Sequence, residues 1–174
     1  MTVDGRLAEL DRLIASVLDE RELAYTRPHP GAFFVSLPGT HKLVTSTWLV
    51  VGDHSLLVEA FVVRHPDENH EAFWRYLLER NARMYGVAFS VDQLGDVYLV
   101  GRVSLDAVTP DELDRLLGCV LSYSDDSFDT LLEIGFAESI RREWRWRVSR
   151  GESLANLQAF ARFADPARGG EDAR

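Results

Sequence analysis

His65 and His70 bracket the segment "HPDENH", with Glu68 inside it and Glu71 just beyond. Imidazole and carboxylate together can ligate a divalent cation. Their spacing follows none of the zinc patterns, and a strand-to-helix loop gathers the same residue types for capping. The segment therefore reads as a helix entry, and neither a metal nor any other cofactor is expected. "SYSDDSFD" (122–129) sets three aspartates among three serines. It lacks the ligand spacing and central glycine of an EF-hand loop. Ser124, Asp125 and Asp126 are instead expected to interrupt or re-cap a helix. Cys119, inside "LLGCVL", reads as a small core residue rather than a reactive thiol. No G-x-S-x-G, G-x-G-x-x-G or P-loop pattern occurs, so no catalytic residue is assigned and no enzyme is expected.

The densest chemistry is "RREWRWRVSR", Arg141 to Arg150, with five arginines and two tryptophans in ten residues. Arginine interleaved with tryptophan suits a nucleic-acid or membrane-surface patch. Against that, the whole chain carries 28 acidic and 19 basic residues, a net charge of −9. Such a surface repels polyanions, so neither a nucleic acid nor a membrane is expected as partner. Wound as a helix, Ile140, Trp144 and Val148 share one face, while Arg142, Trp146 and Arg150 share another where guanidinium can stack on indole. The region 106–133 holds eight acidic residues against Arg115 alone. Trp144 is accordingly expected to be buried, with several arginines facing those carboxylates within the chain or across a dimer. Trp144, Trp146, Arg142 and Arg145 are candidate binding residues.

Further bounds come from composition. A chain of 174 residues with 46% hydrophobic residues can form one domain with a real core, plus a tail or an added helical element. A single cysteine forbids an intramolecular disulfide and a cysteine-based zinc site, which fits a reducing compartment. The N-terminus lacks a basic and then apolar leader, and no apolar run approaches the roughly 20 residues needed to span a bilayer. A soluble cytoplasmic protein is expected.

The elements that must position these residues follow from periodicity. Leu7, Leu10, Ile14, Val17 and Leu18 predict an amphipathic helix over 3–23, which "RPHPG" (27–31) breaks. Strands are expected at 32–37, 42–51 and 55–64, with Gly52-Asp53 turning the second into the third. The third is apolar on both faces, Leu56, Val58, Ala60 and Val62 against Leu57, Phe61 and Val63, with Glu59 its one internal charge. It should be a central strand whose second face meets a second subunit, a bound segment or the chain's own tail. Trp48 and Phe61 are the candidate binding residues on the sheet. A second helix runs toward Gly86, strands at 87–93 and 96–103 flank Leu94-Gly95, and Thr109, Pro110 and Glu112 announce a third helix with a capping box. Beyond Gly135 the pattern stays helical to about 165. The order is α-β-β-β-α-β-β-α, an α+β fold with an antiparallel sheet packed by helices. Its expected domains are 1–135, a C-terminal helical extension over 136–165 and a disordered tail over 166–174.

The stretch "RNARMYGVAFSVDQLGDVYLVGRVSLDAVTPDELDRLL" (80–117) resembles the YbjN family, within the type III secretion chaperone-like superfamily. Asn81 at a helix end, Gly86, Phe89, the strand "GDVYLVGRV", the "TPDEL" helix start and "FVV" (61–63) carry the likeness, which covers roughly residues 3–135. The resemblance implies a small domain, commonly dimeric. It also implies kinship with acidic cytosolic chaperones that hold a partner protein's segment extended on apolar patches. The reading is a non-enzymatic, chaperone-like or regulatory protein-binding module acting as a homodimer. The alternative is a small-molecule sensor or minor enzyme with a pocket between the sheet and the C-terminal helices.

Overall fold

Leu10, Ile14, Val17 and Leu18 are all buried, and they define the inward stripe of α1 (Val3–Glu20). A computed structural model of the protein describes residues 3–155 and 160–164. α1 stops three residues earlier than its periodicity suggests because Glu22 turns left-handed (φ 55°). The Leu23 N–H then reaches the Leu18 carbonyl and the Glu22 N–H the Asp19 carbonyl, closing the helix end.

After α1 the order is β1 (Ala24–His29), β2 (Ala32–Pro38), β3 (Val44–Val51), β4 (Ser55–Val63), α2 (His70–Asn81), β5 (Ala88–Val91), β6 (Val97–Ser104), a 3-10 turn (Leu105–Ala107), α3 (Pro110–Arg150) and α4 (Ala161–Ala164). All strand pairs are antiparallel in one six-stranded sheet ordered β1-β2-β3-β4-β6-β5. The expected α+β class holds, with one strand added. β1 contains Arg27, Pro28 and His29, residues that read as a break in sequence. A proline is tolerated there because β1 is an edge strand with a bulge between Thr26 and His29.

The chain divides into two compact units: residues up to His65 with Tyr76–Asp129, and Pro66–Arg75 with the chain from Thr130. In the first, one sheet face is Phe33, Val35, Leu37, Leu49, Leu56, Val58, Ala60, Val62 and Leu99, all buried. α1 and the start of α3 (Leu113, Leu116, Leu117, Val120) cover it. Each of the valine, leucine and phenylalanine side chains contributes about 1.5–3 kcal/mol by leaving water.

In the second unit Phe73 is fully buried and meets Trp74 and Phe136 edge-on, at 5.1 and 6.3 Å between centroids. The Gly135 carbonyl accepts the Asp67 and Glu68 N–H groups, and the Glu68 carboxylate accepts the Glu138 N–H.

One expectation about α3 is overturned. It is uninterrupted through Ser124–Asp126, because Ser124 and Asp125 find tertiary partners and so do not compete for the helix backbone. It also passes through Gly135, where the missing side chain makes room for Phe73. Only half of the capping box forms. The Glu112 N–H donates to Thr109 Oγ1, while the Glu112 carboxylate takes the Tyr85 hydroxyl and Arg115. α3 ends at Gly151 (φ 67°), where Glu152 N–H to Arg147 and Gly151 N–H to Val148 close it. Residues 152–154 are then non-helical, against the helix expected there. The tail expected at 166–174 lies outside the described residues.

Two glycines of α3 should respond oppositely to alanine. A Cβ at Gly118 meets nothing within 4 Å, whereas one at Gly135 falls 2.8 Å from the Phe73 ring and from Pro66. Gly118→Ala is expected to stabilise the chain by about 1 kcal/mol through helix propensity. Gly135→Ala is expected to destabilise it, since overpacking costs about 1–3 kcal/mol. Urea melts of both variants check this; a stabilising Gly135→Ala would contradict the packing.

Candidate functional site

Side chains alternate across a strand, so the residues between those of the buried face point to the other side of the sheet. There, register lines up Phe34, Trp48, Glu59, Val100 and Ala88 across five strands. Leu57 pairs with Arg102, and Phe61 with Tyr98. Phe34 and Trp48 lie 4.8 Å apart between ring centroids, and Phe61 meets Tyr98 edge-on at 5.5 Å. Trp48 remains 36% exposed and Phe61 38%. The two-faced β4 thus has its second side partly in water, and that side is an aromatic surface on a rigid central sheet.

Lys42, the sole lysine, sits at the margin of this surface. Its Nζ donates to the Phe61 carbonyl and lies 5.3 Å from the Phe61 ring centroid. Burial pulls its amine down from 10.5 to about 8. Its backbone is fixed from the opposite side of the sheet. Asp125 Oδ1 accepts the N–H groups of Thr40, His41 and Lys42 at 3.0, 2.9 and 2.8 Å. Asp129 holds His41 Nδ1 at 2.5 Å. Gly39 is required where it stands, because a Cβ there would lie 2.3 Å from the Lys42 carbonyl and 2.5 Å from Asp125 Oδ1. Partial burial pushes the Asp125 carboxyl up, but the three backbone donors and nearby His41 outweigh it and hold the group below the usual carboxylate range.

A second side chain shapes the sheet's other edge. Asn81 Oδ1 accepts the Phe89 N–H at 2.7 Å, and its Nδ2 donates to the Phe89 carbonyl at 3.1 Å. The amide occupies backbone groups of edge strand β5 that would otherwise recruit another strand.

The candidate residues fall into two groups. Trp48 and Phe61 share the open sheet face. Arg142, Trp144, Arg145 and Trp146 lie on α3 in the second unit. Trp144 is half-buried, not buried as expected. A helix stripe is buried only where another element lies along it, and among the described residues after Gly151 only Ala161–Ala164 is α-helical. Val148, expected on that same stripe, is 57% exposed.

Two of the arginines meet a carboxylate as expected, but not one from the acidic region 106–133. The acidic residues from Asp111 to Glu133 lie on the same continuous helix, so the ion pairs are local ones, Arg141 with Glu138 and Arg147 with Glu143. Arg142 donates to Ser139 Oγ, and Arg145 to the Arg141 carbonyl. The stacking expected on Trp146 does occur, through Arg150 at 4.9 Å from the ring.

His65 donates its backbone N–H to Asp96, and His70 Nε2 lies 3.0 Å from the Pro66 carbonyl. Among the described residues no group of three or more His, Cys, Asp or Glu side chains could hold a metal. No described helix is long and apolar enough to cross a membrane. The turn-holding role of Asp125, the placement of Lys42 and the strand clamp of Asn81 are not visible in the sequence, where Asn81 marks only the family likeness. A proline-glycine turn with a distant, unspent aspartate was the only signal for the first.

Residues 11–133 match a family described as YbjN, "Putative bacterial sensory transduction regulator". The chain belongs to the YbjN family. The match runs from α1 into α3, and so takes in the whole sheet and the Asp125 turn. Uncharacterized proteins of Mycobacterium bovis and Mycobacterium tuberculosis are 54% identical to this YbjN protein over 160 residues, 89% of this chain and 87% of theirs. One from Mycobacterium leprae is 56% identical over 131 residues, 75% of this chain and 71% of its own.

Among solved structures, the ExsC–ExsE complex aligns with a TM-score of 0.55 at 21% identity, over 71% of this chain and 94% of the other. The HopA1–SchA chaperone–effector complex gives 0.51 at 12% identity, over 71% and 94%. The ExoU–SpcU complex of the Pseudomonas aeruginosa type III secretion system gives 0.50 at 14%, over 71% and 98%. The YbjN sheet and helices therefore share the type III secretion chaperone fold.

Asp125 gives a pH-dependent test. Its carboxyl is depressed in the folded state, so its contribution is complete above the unfolded value of about 3.9 and is lost as pH falls through the folded one. Asp125→Ala is expected to cost about 2 kcal/mol at pH 7, as three amides lose an ionised acceptor at a partly solvated site. Urea melts of native and variant proteins should converge as pH falls below the usual carboxylate range. A gap unchanged by acid would contradict the capping role.

Proposed function

We propose that this YbjN protein is a chaperone-like, non-enzymatic module that binds other proteins and works as a homodimer in the cytoplasm. The observation that carries the reading is the open sheet face. Phe34, Trp48, Phe61 and Tyr98 form two ring pairs on it, with Trp48 and Phe61 each more than a third exposed. Rings held on paired strands lose little side-chain freedom on binding, which is what makes aromatic surfaces effective anchors. An extended partner segment with apolar side chains at alternate positions would fit such a face. Glu59 and Lys42 would set its polarity.

The fold relatives lend support, since one of them is a chaperone bound to its effector. A net charge of −9 disfavours nucleic acid and anionic membrane as partners. In this reading residues 1–135 are the binding domain and 136–165 an extension. Arg142, Trp144, Arg145 and Trp146 supply the second surface, where two copies meet. Trp146 at 44% and Val148 at 57% exposure are the apolar groups such pairing would cover.

The test combines mass and retention. Light scattering of the purified protein should give twice 19.7 kDa. The tagged chain, recovered from its own cytoplasm, should retain a protein that the Trp48→Ser/Phe61→Ser form loses while keeping its melting temperature. A monomer that retains the same proteins with or without Trp48 and Phe61 would refute the proposal.

A further inference from the structure

An acidic chain has carboxylates to spare, and four arginines of the first unit meet one. Arg6 pairs with Glu9 and Asp106, Arg21 with Asp114, Arg27 with Asp11 and Arg115 with Glu112. Arg80 and Arg83 do not: among the described residues neither makes an ion pair. Both line a single cavity of about 390 Å³, together with Tyr76, Glu79, Met84 and Tyr123. That volume lies within the range of small-ligand sites, about 300–1,000 Å³. We infer that this cavity binds a small organic phosphate carrying an aromatic ring.

Sequence and local geometry assemble the site. Arg80 stands in the last turn of α2, one turn after Tyr76, and its guanidinium lies 5.9 Å from the Tyr76 ring centroid. Two backbone bonds, Arg83 N–H to Arg80 and Met84 N–H to Asn81, then bring the chain round so that Arg83 faces the same space. Tyr123 comes from α3. Its hydroxyl oxygen accepts the Tyr85 N–H at 3.0 Å, which leaves the hydroxyl hydrogen free to donate.

Charge and shape select the ligand. The helix end presents about half a negative charge and Glu79 one more, against two guanidinium charges. The balance is positive, so an anion is attracted, though modestly. Two guanidinium forks offer more donors than the two oxygens of a carboxylate can use, whereas a phosphate monoester exposes three oxygens. The tyrosine rings and Met84 supply an apolar wall for a planar ring. None of these residues belongs to the aromatic sheet face, so this site and the protein-binding proposal stand or fall separately.

The probe is adenosine 5′-monophosphate, titrated into the full chain by calorimetry and by amide NMR. Saturable binding is expected, with shifts at Arg80, Arg83 and Tyr123. Arg80→Gln/Arg83→Gln should weaken it by about tenfold or more, with the melting temperature unchanged. Ribose 5-phosphate and adenosine, each lacking one half of the ligand, should bind about tenfold more weakly. No saturation by about 10 mM would overturn the inference. So would binding indifferent to the double substitution, adenosine binding as tightly as its phosphate, or a phosphotyrosine peptide binding more tightly than the mononucleotide.

Discussion

One carboxylate oxygen, Asp125 Oδ1, gathers three consecutive amide hydrogens from the turn between β2 and β3. Those amides belong to a tight reversal where the backbone cannot supply its own acceptors, and each would otherwise need water. By answering all three from α3, Asp125 fixes where the helix crosses the sheet and where β3 begins. The same contact sets Lys42, the last of the three residues, whose amine reaches across to the Phe61 carbonyl. One anion on the covered side of the sheet therefore orders a cation on its open side. Thr45 and Ser124, buried and hydrogen-bonded at 3.0 Å, repeat the tie one step along strand and helix.

From this anchoring follows the asymmetry of the sheet. One face is closed by α1 and the start of α3 over a filled aliphatic core. The other holds rings at fixed spacing with a single carboxylate, Glu59, in the central row. Aromatic side chains bury about 150–250 Å² each when covered, so even two of them represent a large unrealised gain. In the proposed reading, a protein that keeps such a face half-wet, while blocking β5 at Asn81 and breaking β1 with Pro28, is met face-on. Edge-to-edge strand addition is the mode it resists.

Much of this plan could be read before any coordinates. The helical stripe of α1 and the two apolar faces of β4 were legible because periodicity reports burial directly. The YbjN likeness was legible because Asn81, Gly86 and Phe89 sit where the clamp and the close turn need them. β1 was not, since Pro28 and the exposed residues around it look like a linker unless an edge position is already known. Ser124–Asp126 misled for a related reason. Residues that cap helices from within one segment can equally serve a distant turn, and sequence alone does not display the turn. Trp144 was misplaced because a helical stripe states only that burial is possible.

The central claim is that the open sheet face is a protein-binding surface. A photo-crosslinking benzophenone amino acid placed at position 61 in living cells tests it most directly, with the same group at exposed Gly118 on α3 as reference. The account predicts a covalent adduct with a different protein from position 61 and none from position 118. No adduct at position 61, or the same adducts from both positions, would contradict it.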